Sequence, residues 1–308
     1  MKKIAPWLRS ALVVTMTAIA SESLFLTTPA LADPSDFTPE LTAQVSPELP
    51  PEAPPTVAQA DSIPIYVPPP ERNTPGICEE FLEPNITEII QRRGGRWGVL
   101  VQTLDGRTLY SYNANTQLIP ASNIKLFTTA AALQRLNLQS SIRSQPLINW
   151  INVTNLRSNN NYADVLLSTL GGVQAARQSL TQLGVNGGFR QVDGSGLSRN
   201  NLATAQSLVE TLRAMYFNDK RDVFIRSLPV AGKSGTLSRR FHNTRAQGRV
   251  YAKTGTLTGV RALSGYIEHP EYGMLVFSVL VNNPSQSGAN LVNSVDSIVI
   301  ALSQVMRC

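Results

Sequence analysis

Histidine and cysteine are scarce in this sequence, with two of each in 308 residues. That stock does not build a structural zinc site of the usual four-ligand kind, and no metal is expected. No G-x-x-x-x-G-K-[ST] loop is present, and no G-x-G-x-x-G follows a strand pattern. Nucleotide-driven and dinucleotide redox chemistry therefore fall away, and no cofactor is expected. A serine nucleophile elbow is missing as well, because Ser195 sits in Gly194-Ser195-Gly196 rather than in G-x-S-x-G. The two histidines, His242 beside Arg239-Arg240-Phe241 and His269 before Pro270, read as surface residues, so a Ser-His-Asp triad has little support. Lysine is also rare, at 6 against 21 arginines.

What is present is unevenly distributed. Lys2, Lys3 and Arg9 precede the apolar run Ala11–Ala20, and Ala30-Leu31-Ala32 offers a small-x-small cleavage site. Residues 1–32 are expected to be a secretory signal; an uncleaved membrane tether is the alternative. Residues 33–75 hold 12 of the 20 prolines and seven acids against the single base Arg72. Such a stretch is expected to be a disordered or semi-rigid tether. From residue 76 onward, 23 bases face 13 acids. A basic domain suits a polyanion: nucleic acid, an anionic membrane or an acidic cell-wall polymer. Export to the periplasm or cell envelope removes intracellular nucleic acid from that set. It also turns Cys78 and Cys308, at the two ends of the expected folded region, into a disulfide candidate.

Periodicity predicts an α+β domain over residues 76–308. Ile86, Ile89 and Ile90 mark a helix at 84–93. Two strands, 96–104 and 107–112, meet at Asp105-Gly106, a hairpin signal. Helical patterns follow at 122–136, 146–156, 161–170, 173–183 and 202–216. Three strands at 249–254, 261–267 and 274–281 are separated by Thr258-Gly259 and Pro270–Gly273, and 286–306 is a last amphipathic helix. Short hairpin links favour one five-stranded antiparallel sheet, with helices segregated from it.

Where arginine supplies most of the surface charge, a lysine marks a place that needs a deprotonable amine or a compact charge. Lys125 stands in Ser122-Asn123-Ile124-Lys125, where positions i and i+3 share one helix face. Ser122 falls at the predicted helix start, and a lysine lowered by burial could take its proton. The bland alternative is an N-cap serine beside a solvated lysine. Lys253 opens Lys253-Thr254-Gly255-Thr256 at the end of a strand, placed to hold a carboxylate where glycine lets a substrate backbone approach. Lys233-Ser234-Gly235-Thr236 rivals it but lies in what reads as loop. Ser158-Asn159-Asn160, at the start of another helix, could relay a proton and hold an amide, or be only a helix cap.

S-x-x-K, S-[DN]-N and K-T-G in this order form the active-site set of penicillin-binding proteins and class A β-lactamases. With Leu118–Ser122, Ser144–Leu147, Val192–Asn201 and Thr254–Val260, the chain resembles the D-alanyl-D-alanine carboxypeptidases/endopeptidases, the class C low-molecular-mass penicillin-binding proteins, over roughly residues 80–305. The resemblance implies a β-lactamase/DD-peptidase-like fold with terminal helices on one sheet face and a helical subdomain. It implies Ser122 as the acylated nucleophile, Lys125 as its base, Ser158 and Asn160 as the second element, and Lys253 and Thr254 on the terminal carboxylate. The oxyanion hole would use the N–H groups of Ser122 and Thr256. The substrate would be a peptidoglycan stem peptide, with β-lactams as ligands. A β-lactamase and a non-catalytic peptidoglycan-binding pseudoenzyme are the alternatives. One departure is large: the family inserts whole domains between its first two motifs, whereas Ser122 and Ser158 are 36 residues apart here. The join is expected between Leu136-Asn137 and Ser144.

Overall fold

Hairpin chemistry builds the sheet. Strand β1 (Arg96–Thr103) turns through Asp105 and Gly106 into β2 (Thr108–Tyr112). Gly106 is left-handed with φ +97°, and Asp105 accepts a hydrogen bond from the Thr103 hydroxyl. Strands β3 (Val250–Leu257), β4 (Val260–His269) and β5 (Gly273–Asn282) form a meander whose first turn uses Gly259 at φ +72°. The five strands pair in the order β2-β1-β5-β4-β3, every pair antiparallel, so residues 96–112 and 249–281 share one sheet. The computed structural model describes residues 76–308. The expected signal segment and proline-rich tether lie outside the described residues.

Alternation along the strands sends side chains to two cores. Val99, Val101, Phe277 and Val279 pack with α1 (Leu82–Arg93) and α8 (Gly288–Gln304) on one face. Leu100, Val276, Leu280 and Tyr266 pack with the helical block on the other. The terminal helices thus lie together on one face, as expected. Each fully buried aliphatic side chain in these layers contributes roughly 1.5–3 kcal/mol of transfer free energy.

The helical block is arranged around α2 (Ile124–Arg135), whose residues from Ile124 to Leu133 are all buried. A helix buried on every side is a core element rather than a surface one. Around it stand α3 (Leu147–Leu156), α4 (Asn160–Thr169), α5 (Gly172–Gln182) and α6 (Ala205–Tyr216). A short α7 (Arg221–Arg226) has too few residues for its periodicity to show in the sequence. The helix expected from 202 begins at Ala205. Leu202–Ala203 instead pair with Phe189–Arg190, and Thr204 closes a capping box with Ser207.

Two closures complete the fold. Cys78 and Cys308 form a disulfide with Cα atoms 5.5 Å apart, 230 positions apart in sequence. It is flanked by a parallel pairing of Ile77–Cys78 with Val305–Met306. After α2, Ser141–Ile142 pairs antiparallel with Gln145–Pro146. The hairpin tip is Arg143 (φ +49°) and Ser144 (φ +63°), both exposed and both left-handed, as a type I′ turn requires. The Trp150 indole N–H donates to Ile142 O at 2.9 Å and fixes this hairpin to α3. The junction expected between Leu136 and Ser144 is therefore a tight, closed turn.

Candidate active site

The chain approaches Ser122 through a strained turn. Ala121 has φ +48° and is fully buried, and Ala121–Asn123 form a 3-10 turn ahead of α2. Ser122 is thus two residues before the α-helix rather than inside it. Asn123 anchors the turn: its side-chain amide donates to Ser264 Oγ on β4 at 2.7 Å. Two glycines let neighbouring backbone close on the same spot. A Cβ on Gly196 (φ +85°) would lie 2.0 Å from Ala121 O, and one on Gly255 would lie 2.5 Å from Pro120 O. The serine-bearing turn is clamped between the 193–201 loop and strand β3.

Lys125 lies on the first turn of α2 with no solvent exposure. Its Nζ is 3.1 Å from Ser122 Oγ, donates to Asn160 Oδ1 at 2.7 Å, and also donates to Ser195 O. Burial lowers its pKa to about 8, against the opposing pull of the Asp164 and Asp193 carboxylates. A neutral amine has two N–H groups and one lone pair. With Asn160 and Ser195 taking the donors, the lone pair is left for the Ser122 hydroxyl proton.

The 193–201 loop is held by Asp193, which accepts from Gly196 N, Ser198 N and the Asn201 amide at 2.5–3.0 Å. Asp164 on α4 fixes its start by accepting from Gly194 N at 2.8 Å. Ser195 contributes only its backbone carbonyl to Lys125, so its place in a glycine-flanked turn is structural.

Ser158 sits at φ +54° in the link between α3 and α4. The cap of α4 is Asn159, whose side chain accepts from Tyr162 N at 3.0 Å, rather than Ser158. That leaves the Ser158 hydroxyl for the site, where Lys253 Nζ donates to it at 2.8 Å. Alternation along β3 sends Lys253 and Gly255 toward the Ser158 and Pro120 side, and Thr254 and Thr256 toward the open cleft. Lys253 has no exposure, donates also to Thr254 O, and burial together with the neighbouring Lys125 charge holds its pKa well below the usual lysine value. Its ammonium is bonded to Ser158, itself a cleft-lining residue, and to Thr254 O rather than standing free in the cleft.

A cleft of about 380 Å³ joins these pieces, lined by Ser122, Ser158, Asn160, Gly196, Thr254 and Thr256. It also includes Leu197, Leu257, Thr236 and Arg240, which lie outside the three motifs. Thr236 comes from the rival motif: Thr254 Oγ1 donates to Thr236 Oγ1 at 2.8 Å, while Lys233 is exposed on the surface. The flag was in Lys233–Thr236, but its hydroxyl and not its lysine reaches the cleft. Of the histidines, His242 is exposed as expected. His269 is instead buried, because Nδ1 accepts from the backbone N–H groups of Glu271 and Tyr272 and closes the β4–β5 turn. Among the described residues no cluster of His, Cys, Asp or Glu could hold a metal, and no helix is long and apolar enough to cross a membrane.

Comparison with known proteins identifies a family. A family model described as D-Ala-D-Ala carboxypeptidase 3 (S13) matches residues 82–143 and 140–305, its two segments meeting at the tight hairpin. The penicillin-sensitive carboxypeptidase A of Dictyostelium discoideum is 38% identical over 181 residues, covering 52% of this chain and 35% of that protein. A D-alanyl-D-alanine carboxypeptidase of an Actinomadura species is 40% identical over 164 residues, covering 48% of this chain and 30% of that protein. The chain thus spans about a third of the length of these relatives. In fold it is similar to penicillin binding protein 4 of Haemophilus influenzae, solved with a β-lactam, at TM-score 0.63 and 15% identity over 71% of this chain and 99% of that one. A β-lactamase from Chitinophaga pinensis superposes at TM-score 0.59 and 18% identity, over 72% and 98% of the two chains.

Proposed function

This chain belongs to the D-Ala-D-Ala carboxypeptidase 3 (S13) family, and from that membership we propose that its cleft is a serine acyl-transfer site that cleaves D-Ala-D-Ala stem peptides of peptidoglycan and is acylated by penicillins. The observation that carries the reading is the buried Lys125 amine, 3.1 Å from Ser122 Oγ with its other two directions held by Asn160 and Ser195. A solvated lysine beside a capping serine would not be placed so.

In the proposed reaction the Ser122 oxygen attacks the carbonyl between the two D-alanines while Lys125 takes its proton. The N–H groups of Ser122 and Thr256 receive the oxyanion. The peptide C–N bond breaks, Ser158 passes a proton to the leaving amine, and free D-alanine departs. Lys253, bonded to Ser158, replaces that proton and is itself restored by the one Lys125 took up. Water then attacks the ester, regenerating Ser122. The outer edge of β3 fits an extended peptide: residues 229–231 cover it through Ala231 N–Val250 O and Ala252 N–Pro229 O, and the covering pairs end before Thr254. The terminal carboxylate would then lie along Thr254, Gly255 and Thr256. Asp193–Asn201 fixes the opposite wall.

Such a protein would work outside the cytoplasm, with residues 1–32 as its export signal and 33–75 as its tether. A β-lactamase reading is less well served, because no glutamate lines the cleft to activate a deacylating water. The pseudoenzyme reading would need a decayed site, whereas Lys125 is bonded to Ser122 and Asn160, and Lys253 to Ser158, at 2.7–3.1 Å. Intact-mass measurement after exposure to benzylpenicillin tests the proposal. One added penicillin on wild type and none on Ser122→Ala is the expected result; a folded wild type that stays unlabelled on prolonged exposure refutes it.

A further inference from the structure

The cleft described above has a cation that the motif logic does not use. Arg240 lines it together with Thr236, Thr254 and Thr256, and it is the one cationic side chain among the lining residues. Lys125 and Lys253 have no exposure, Lys233 lies outside, and Arg199 is spent on Thr258 O. Lys253 already commits N–H groups to Ser158 Oγ and Thr254 O, at 2.8 and 3.0 Å.

Arg240 is also unusually well fixed. Its Nε lies 3.1 Å from both carboxylate oxygens of Asp296, on α8, and Nη2 bonds the same carboxylate. Both side chains are mostly buried, at 19% and 18% exposure. A guanidinium has two usable edges. The Nε–Nη2 edge is taken by Asp296, which leaves Nη1 for a second anion. Such a fork holds the charge in place without a rotamer search at binding, and arginine stays protonated where a buried lysine does not.

Resting on the acyl-transfer reading, we propose that Arg240, held by Asp296, is the cationic partner of the substrate's C-terminal carboxylate, with the hydroxyls of Thr236, Thr254 and Thr256 beside it. Lys253 then serves Ser158 and the leaving-group proton. Arg240 becomes a specificity residue, and Asp296 a positioning residue acting through it from the far-face helix. The lowered pKa of Lys253 is consistent with this division, since a proton relay needs an amine that can give up its proton.

Two D-alanyl thioesters test the assignment, one whose thiol half ends in a carboxylate and a matched one ending in a carboxamide. Both release a thiol that is followed directly. Wild type should favour the carboxylate in kcat/KM. In Arg240→Gln that preference should shrink by about 10- to 100-fold, the range of a lost charge-assisted contact, and Arg240→Lys should restore part of it. Lys253→Ala should leave the preference standing, since a thiolate departs without the proton that Lys253 serves to an amine. Because Arg240→Gln strands the Asp296 carboxylate, Arg240→Gln/Asp296→Asn is measured alongside, with melting curves for each. If the preference survives in a folded Arg240 variant, or collapses only in Lys253→Ala, the assignment is wrong even though Ser122 still takes up penicillin. If folded wild type takes up no penicillin, the acyl-transfer reading itself fails and this assignment falls with it.

Discussion

At the scale of single residues, the proposed acyl transfer turns on one proton of Lys125. The amine must be neutral to accept the serine proton, and its pKa of about 8 leaves it mostly protonated at neutral pH. The sign follows: penicillin acylation should rise about tenfold per pH unit below 8 and level off above it, as stopped-flow or mass kinetics can follow. Lys125→Arg keeps a positive charge but offers no lone pair, so it should lose at least about 10²-fold in acylation rate. A flat pH profile, or an active arginine variant, would remove Lys125 from the role of base. Gly196 gives an independent handle. Alanine there puts a methyl 2.0 Å from Ala121 O at a residue already at φ +85°. Gly196→Ala should destabilise the fold by about 1–3 kcal/mol and displace Ser122, with a loss of acylation far larger than that of the exposed change Lys233→Ala.

At the scale of elements, the non-glycine residues at the α2–α3 hairpin tip carry a measurable cost. Arg143 and Ser144 both occupy the left-handed region, which disfavours an L side chain by about 1–2 kcal/mol. Ser144→Gly should recover about 0.5–1 kcal/mol net in urea unfolding, since glycine also loses more chain entropy on folding. A decrease in stability would mean that the turn is not of this type. This hairpin, like the Ser158 link, shows where sequence reading runs out. The five strands and the long helices were legible because their apolar periods are regular over many residues, and Asp-Gly and Thr-Gly mark their turns. Left-handed Ser158, Arg143 and Ser144 carry no such mark, since each residue type prefers other backbone regions. Arg240, and the part played by Thr236 rather than Lys233, were hidden for a different reason: a 3-10 turn at Gly235–Leu237 followed by loop has no period, and only the tertiary fold brings it against β3. Ser122, Lys125, Asn160 and Lys253 were legible because their spacing is itself the signal, but the direction in which Lys253 points depends on strand alternation and on Ser158.

At the scale of the whole molecule, the Cys78–Cys308 bond closes a loop that contains nearly the whole described domain. Removing it frees both terminal helices in the unfolded chain, so reduction should lower stability by about 2–5 kcal/mol. Equilibrium unfolding with and without dithiothreitol measures this, and coincident curves would assign the bond no such role. The penicillin adduct should still form in the reduced protein below its new midpoint, because neither cysteine lines the cleft.

The exposed Arg143–Ser144 tip has a further consequence for how such a protein can change. Its two flanking strands leave α2 and enter α3 side by side, already pinned by Leu147 N–Ser140 O and by the Trp150–Ile142 bond. A pair of chain ends held this close forms a socket: it can accept a guest domain or be stitched shut, and the serine and lysine behind it keep their places in either case. Opening the turn with a ten-residue glycine-serine segment should cost only about 1.5 kcal/mol of closure entropy, offset in part by release of the left-handed pair. The serine-bearing core and whatever is plugged into it could then be exchanged independently of each other.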